Sequence, residues 1–166
     1  MEDTDASYVA FVEVAWQRHL RLAILLTGDR HRGEDLLQDC LVRIYERWRR
    51  LARADDPHAY LRRMLANGNV SLWRRLRRER LVADPPDLAA DRTADRHPDA
   101  ELLRHALLRL PPRQRAVVVL RHYEDLPEAE IAGILGCSVG TVKSQNARAL
   151  AKLRAALREP IFERNG

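Results

Sequence analysis

The chain has 166 residues, a formal net charge of +5 and a pI near 9.7. That length suits one medium domain or two small ones and favours a binding module over a large enzyme. The charge favours a polyanionic partner, but 24 acidic residues stand against 29 basic ones, so the balance matters only where charge is segregated. Cys40 and Cys137 lie one in each half at helical positions, which suggests reduced structural thiols and a cytoplasmic home. No apolar run approaches the ~18 residues that a membrane span needs, and Met1 to Asp5 is acidic where a signal peptide is basic. A soluble protein with no membrane insertion is expected.

Ser7 to Thr27 carries Tyr8, Phe11, Ala15, Leu22 and Leu26 at helical spacing, and Gly28 follows where a helix stops. Asp29 can cap the next element. From Glu34 to Arg50 a second helix is expected on the stripe Leu37, Leu41, Ile44 and Trp48. Its other face holds Asp35, Gln38, Asp39 and Glu46, with Leu36 and Val42 off the core stripe. An acidic face dotted with exposed aliphatics fits protein docking, and on pattern alone it fits a solvated face equally well.

A loop over Arg53 to Pro57 leads to a third helix from His58 to Val82, with Tyr60, Leu61, Met64, Leu65, Leu72, Trp73 and Leu76. Its second half turns strongly basic. Arg74, Arg75, Arg77, Arg78 and Arg80 are opposed only by Glu79, and like charges so close repel unless a polyanion neutralises them. Arginine also suits bidentate phosphate contact, while Tyr60 and Trp73 offer flat partners for unpaired bases.

Ala83 to Ala100 changes composition: Pro85, Pro86, Pro98 and five aspartates, with no periodicity. It reads as a linker. The second domain opens near Asp99 with Leu103, Ala106, Leu107 and Leu110. Pro111 and Pro112 break that helix, and another runs through Arg115 to Tyr123. Pro127 to Leu157 then reads as two helices and a tight turn. Ile131 and Leu135 face inward, small Ala132 lets a second helix cross closely, Gly136 makes the turn, and Ser138 caps the second helix. On that helix Val142, Leu150, Leu153 and Leu157 form an apolar stripe, with Thr141, Ser144, Gln145 and Arg148 roughly opposite. Lys143, Arg148, Lys152, Arg154 and Arg158 add positive charge, with no acid between Ser138 and Arg158. This is the build of a helix-turn-helix with a recognition helix for the major groove.

The expected fold is therefore all-α: two small helical domains joined by a flexible linker, the second containing the helix-turn-helix. The boundaries are 5–82, 83–99 and 100–158. Two DNA-contacting modules on a tether imply two separated sites read together. A free-standing helix-turn-helix regulator with a helical dimerisation domain is the alternative. An enzyme acting on nucleic acid fits poorly: there is no carboxylate cluster, phosphate loop or ligand set at metal spacing, and His31, His58, His97, His105 and His122 are scattered. No cofactor, metal or catalytic residue is expected.

The order of parts and the residues themselves resemble the extracytoplasmic-function group of bacterial RNA polymerase sigma factors, the actinobacterial SigE-like subgroup above all. GEDLLQDCLVRIYERW (Gly33 to Trp48) is similar to that family's polymerase-binding helix. AYLRRMLANGNVSLWRR (Ala59 to Arg75) is similar to its helix for the −10 promoter element. The run Leu110 to Arg154 resembles its fourth region, which binds the −35 element.

The resemblance implies that Asp35, Leu36, Gln38 and Asp39 dock on the clamp helices of core RNA polymerase. It implies that Tyr60, Arg63, Asn67, Trp73, Arg74, Arg75 and Arg78 meet the −10 element, and that the Arg53 to Pro57 loop holds a flipped base. Ser138, Thr141, Lys143, Ser144, Gln145 and Arg148 would meet the −35 duplex, Lys143 and Arg148 on phosphate and Gln145 on a base edge. The acidic linker would follow the RNA path through the polymerase. Core polymerase and promoter DNA are thus the implied partners; the residues give no sign of an anti-sigma factor, though the family commonly has one.

Three positions depart from the pattern. Ser71 stands where aspartate is common, which loosens any transfer of −10 sequence preference. Pro127 replaces a serine cap, leaving Asp125 to take that part. Asn146 occupies a place on the apolar stripe usual for an aliphatic, where it either hydrogen-bonds locally or softens the packing.

Overall fold

Three acids, Glu2, Asp3 and Asp5, sit at the positive end of the first helix dipole, and α1 (Glu2–Thr27) begins there, ahead of the expected start at Ser7. Gly28 ends it in a left-handed conformation, φ 78°, its N–H donating to the Ile24 carbonyl at 2.7 Å. Asp29 then caps α2 (Arg30–Glu46), its Oδ1 accepting from the Arg32 N–H at 3.0 Å. Gly33 is the crossing point: a Cβ there would lie 2.9 Å from both Cγ1 and the backbone N of Ile24. The computed structural model describes residues 2–53, 56–80 and 98–158. All regular structure among them is helical, in two compact units.

The stripe Leu37, Leu41, Ile44 and Trp48 is buried as expected, but the helix beneath it is not continuous. Arg47 leaves helical geometry (φ −116°, ψ 10°), and α3 (Trp48–Leu51) restarts the turn. Trp48 packs on Phe11, centroids 4.8 Å apart, and its indole N–H donates to Ser7 Oγ at 2.8 Å. Tyr8 ties the same cluster to α2 by donating to the Leu41 carbonyl at 2.8 Å.

Asp56 caps α4 (Pro57–Arg80), accepting from the His58 and Ala59 N–H groups at 3.0 and 3.1 Å. Leu61, Leu65, Ala66 and Val70 bury its inner face. Arg62 is also buried, so it does not belong to the exposed arginine strip. It lies instead near a histidine pair, in which His19 Nε2 and His58 Nδ1 are 3.0 Å apart and the rings stack with centroids at 5.2 Å. His19 is pushed down to about 4, by burial first and then by His58, Arg18 and Arg62, with Asp56 opposing. Burial, with Arg18 and Arg62, lowers His58 as well, and Asp56 again opposes.

In the second unit α5 (Pro98–Leu108) is tied to α6 (Pro112–Val118) by one buried guanidinium. Arg115 donates from Nε to the Leu107 carbonyl at 2.8 Å and from Nη2 to those of Leu108 and Leu110 at 3.3 and 3.0 Å. It thereby satisfies the orphan acceptors at a helix C-terminus. The helix expected to continue to Tyr123 widens into a π-helical turn over Val119–Tyr123, where the Glu124 N–H reaches the Val119 carbonyl at 3.1 Å. Then follow α7 (Glu128–Leu135) and α8 (Val139–Arg158). Leu107, Leu110, Val117, Leu120, Ile131, Leu135, Val142, Ala149 and Leu153 make the core. Asp125 does not cap α7: it sits at φ 54° with its side chain 94% exposed, 3.6 Å from Arg121 Nη1. Pro127 takes the cap position without a side-chain bond. The predicted linker lies outside the described residues up to Pro98, where α5 begins, as do Ala54 and Asp55 of the expected base-holding loop and the tail 159–166.

Two predictions follow from these contacts. Unfolded histidine takes a proton near pH 6.5 while His19 resists until about 4, so the unfolded state binds more protons between those values. The first unit therefore loses roughly 1–2 kcal/mol of stability as pH falls through that window and is indifferent to this pair above it. Trp16, Trp48 and Trp73 all lie in this unit, so urea titrations followed by tryptophan fluorescence read it directly. An unchanged midpoint from pH 7 to 4.5 contradicts the assignment. Separately, Asp125→Gly removes a left-handed non-glycine residue and raises the second unit's thermal midpoint by about 2–4 °C, measured by calorimetry.

Candidate nucleic-acid interface

The turn before α8 is built as its residues require. Gly136 is left-handed, φ 66°, and the Cys137 N–H donates to the Ala132 carbonyl at 3.1 Å. Ser138 Oγ accepts from the Thr141 N–H at 3.1 Å and pairs with the Thr141 hydroxyl at 2.9 Å. Ser144 Oγ donates back to the Thr141 carbonyl at 3.1 Å. Three of the hydroxyls expected to face DNA therefore also hold the first turns of α8 in shape.

The inward stripe differs from the expected one. Val142, Ala149 and Leu153 are buried, Leu150 is half-buried, and Leu157 is 44% exposed because α8 runs past the end of its support. Lys143, Ser144 and Arg148 are exposed, as are Lys152, Arg154 and Arg158, while Thr141 and Gln145 are half-buried at the edge of the same face. Gln145 Oε1 has no hydrogen-bond partner within the protein. Asn146 settles its two alternatives by bonding across helices: its Oδ1 accepts from His122 Nε2 at 3.1 Å.

In the first unit a groove of about 850 Å³ runs between α2 and α4. Asp35 and Asp39 edge one wall; Tyr60, Arg63, Asn67 and Arg75 edge the other. Residues expected to serve two different partners are thus brought to one cleft. Leu36 is a correction: expected to be exposed, it is 9% exposed and sits 3.1 Å from where a Cβ on Gly68 would be, so it packs α2 onto α4. Gln38 is exposed, and so is Val42, at 60%. Tyr45 shares the exposed side of α2, donating to Asp5 Oδ1 at 3.2 Å.

On α4, Arg74, Arg77 and Arg78 are exposed. Asn67 donates from Nδ2 to the Arg63 carbonyl at 3.0 Å. Tyr60 is anchored, its hydroxyl accepting from Arg47 Nη1 at 3.2 Å. Trp73 is half-buried with the Arg32 guanidinium 5.9 Å over its ring, so one face is already stacked. Arg32 and Arg47 escape sequence reading because their partners lie on another helix, outside any periodicity.

A helix-turn-helix with one basic face, together with a unit whose long helix ends in exposed arginines, defines a class of modular helical DNA-binding protein. Comparison with known proteins narrows it. The family model "Sigma-70 region 2" matches residues 15–79, and "Sigma-70, region 4" matches residues 100–153. The chain is 44% identical over 139 residues to the RNA polymerase sigma-E factor of Streptomyces avermitilis, covering 83% of this chain and 78% of that one. It is 35% identical over 150 residues to the ECF RNA polymerase sigma factor SigE of Mycolicibacterium smegmatis, covering 82% and 56%. Among solved structures, the sigma factor RpoE of Bartonella quintana, crystallised with the anti-sigma factor NepR, matches with a TM-score of 0.72 at 24% identity, over 96% of this chain and 99% of that one. That last likeness concerns the fold alone. The chain belongs to the extracytoplasmic-function sigma factors of the sigma-70 family.

The packing of Leu36 gives a further test. Leu36→Ala costs the first unit about 2–3 kcal/mol in urea denaturation, as a truncated core leucine does. A change within ~0.5 kcal/mol would return Leu36 to the surface.

Proposed function

We propose that this sigma factor joins core RNA polymerase through the exposed acids of α2 and directs it to promoters by reading the −10 element with α4 and the −35 element with α8. Residues 5–82 serve as the region 2 module, 83–99 as the connecting segment and 100–158 as the region 4 module. The observation that carries the reading is that both sets of exposed residues stand on helices of one unit. α2 exposes Asp35, Gln38 and Asp39, while α4 exposes Arg63, Arg74, Arg75 and Arg78. The acids face Arg63 and Arg75 across the groove, and Arg74 and Arg78 stand outside it, so one small unit offers surfaces of both signs to a protein partner and a nucleic acid.

In this reading Lys143 and Arg148 contact phosphate and fix register, while Gln145 reads a base edge. Ser138 and Ser144 act chiefly by shaping the start of α8, with Thr141 at the groove edge. Tyr60, Asn67 and Trp73 attend the opened −10 strand. The protein works in the cytoplasm and has no catalytic chemistry of its own. An anti-sigma factor is the third partner class, as the Bartonella quintana complex illustrates for its own sigma factor.

Run-off transcription with purified core polymerase and source genomic DNA tests the whole reading, and no promoter-specific transcript from any template overturns it. Asp35→Arg together with Asp39→Arg lowers retention of core polymerase by the full chain by roughly a hundredfold, since like charges across an interface cost several kcal/mol. A free-standing regulator would bind its DNA alone and be indifferent to both changes.

A further inference from the structure

Exposed His122 and half-buried Asn146 form a polar pair, Asn146 at a place where packing alone would call for an apolar side chain. Asn146 lies one turn beyond Val142 and one turn before Ala149 and Leu150, inside the stripe that seats α8 on its unit. A half-buried amide there weakens an apolar seam unless it is hydrogen-bonded. The partner comes from the π-helical turn at Val119–Tyr123, whose wider winding swings the residues after it round the axis compared with a regular helix. His122 Nε2 thereby reaches Asn146 Oδ1 at 3.1 Å.

An aliphatic side chain would hold α8 by burial, which is non-directional and tolerates a small roll of the helix. A hydrogen bond does not, because its strength falls with both length and angle. Gln145 immediately precedes Asn146 on α8, half-buried at the edge of the exposed basic face. At a radius of ~6 Å a roll of ~10° moves a side-chain atom by about 1 Å. That is the difference between a hydrogen bond to a base edge and none.

We propose that the His122–Asn146 bond sets the roll of α8 and so the base edge that Gln145 reads, making His122 a positioning residue for upstream-element specificity. This rests on the reading of α8 as the −35 reader. The test uses the full chain bound to core RNA polymerase and a library of promoter duplexes randomised over the upstream hexamer. His122→Ala and Asn146→Ala each flatten preference at the same base pair by roughly fivefold, the size of one hydrogen bond. The double variant is no worse than either alone, and the salt dependence of binding is unchanged because the phosphate contacts remain. Asn146→Leu supplies the variant that separates roles: it restores the apolar stripe and raises the thermal midpoint, yet keeps the broadened preference. If Asn146→Leu reads the hexamer as sharply as the natural chain, or the two alanine variants broaden different positions, the proposal is overturned.

The bond itself is read without DNA, from the ring ¹⁵N spectrum of His122 in the full chain. A His122 Nε2 resonance that shifts in Asn146→Ala toward that of a free imidazole supports it, and one that is the same in both overturns it. A natural chain that enriches no upstream sequence while showing that shifted resonance sinks the promoter-reading assignment and, with it, any part of the bond in specificity.

Discussion

Both units answer one constraint: a helix with an uncompensated row of cations on its outer side must be held entirely from its inner side. The magnitudes allow it. Like charges three or four residues apart cost a few tenths of a kcal/mol per pair, while each large apolar side chain buried returns about 1.5–3 kcal/mol. In α8, Val142 and Leu153, with Ala149 between them, outweigh Lys143, Arg148, Lys152, Arg154 and Arg158. In α4, Leu61, Leu65 and Val70 support the arginines further along the same helix. Apolar grip declines toward the C-terminal end of both helices, where Leu72 and Leu76 are half-buried and Leu157 is exposed. The charge is densest there, and neutralisation by a polyanion would relieve the most repulsion.

The same constraint decides how much could be read from the chain beforehand. Periodicity reports which residues share a helix side, so Leu37, Leu41, Ile44 and Trp48 were legible, and so were the stop at Gly28, the turn at Gly136 and the caps Asp29 and Ser138, each a local device. Periodicity does not report where a side ends. Leu36 lies off the stripe that meets a single neighbour, but α1 and α4 both pack on α2 and the approach at Gly68 closes over that leucine. Leu157 looked buried for the opposite reason. The break at Arg47, the π-helical turn and the left-handed Asp125 leave no mark in composition.

Of the site, the residue set was legible and its division of labour was not. Thr141, Ser144, Gln145 and Arg148 fall along one face of α8, with Lys143 turned away from them and Ser138 just before the helix, yet the hydroxyls of Ser138 and Ser144 are occupied locally, leaving Lys143 and Arg148 projecting and Gln145 at the margin. On α4 the arginines separate into three environments: Arg62 buried near the histidine pair, Arg63 and Arg75 in the groove, and Arg74, Arg77 and Arg78 outside it. Sequence shows only that all are arginine. Burial and neighbours determine which can meet a phosphate.

Arg115 and Arg32 show what the remaining cations do. Arg115 is buried in carbonyl oxygens at the end of α5, pushed down to about 10 by burial, and it serves as a rigid fork that no lysine would replace. Arg32 stacks over Trp73 and joins the start of α2 to the basic half of α4. Neither increases the positive field at the surface as an exposed cation would. Net charge therefore overstates the electrostatic reach of this chain, and the sign presented to a partner follows from which arginines the core has already claimed. With 27 arginines and two lysines, the chain draws structural forks and phosphate contacts from a single residue type, and packing alone sorts the one from the other.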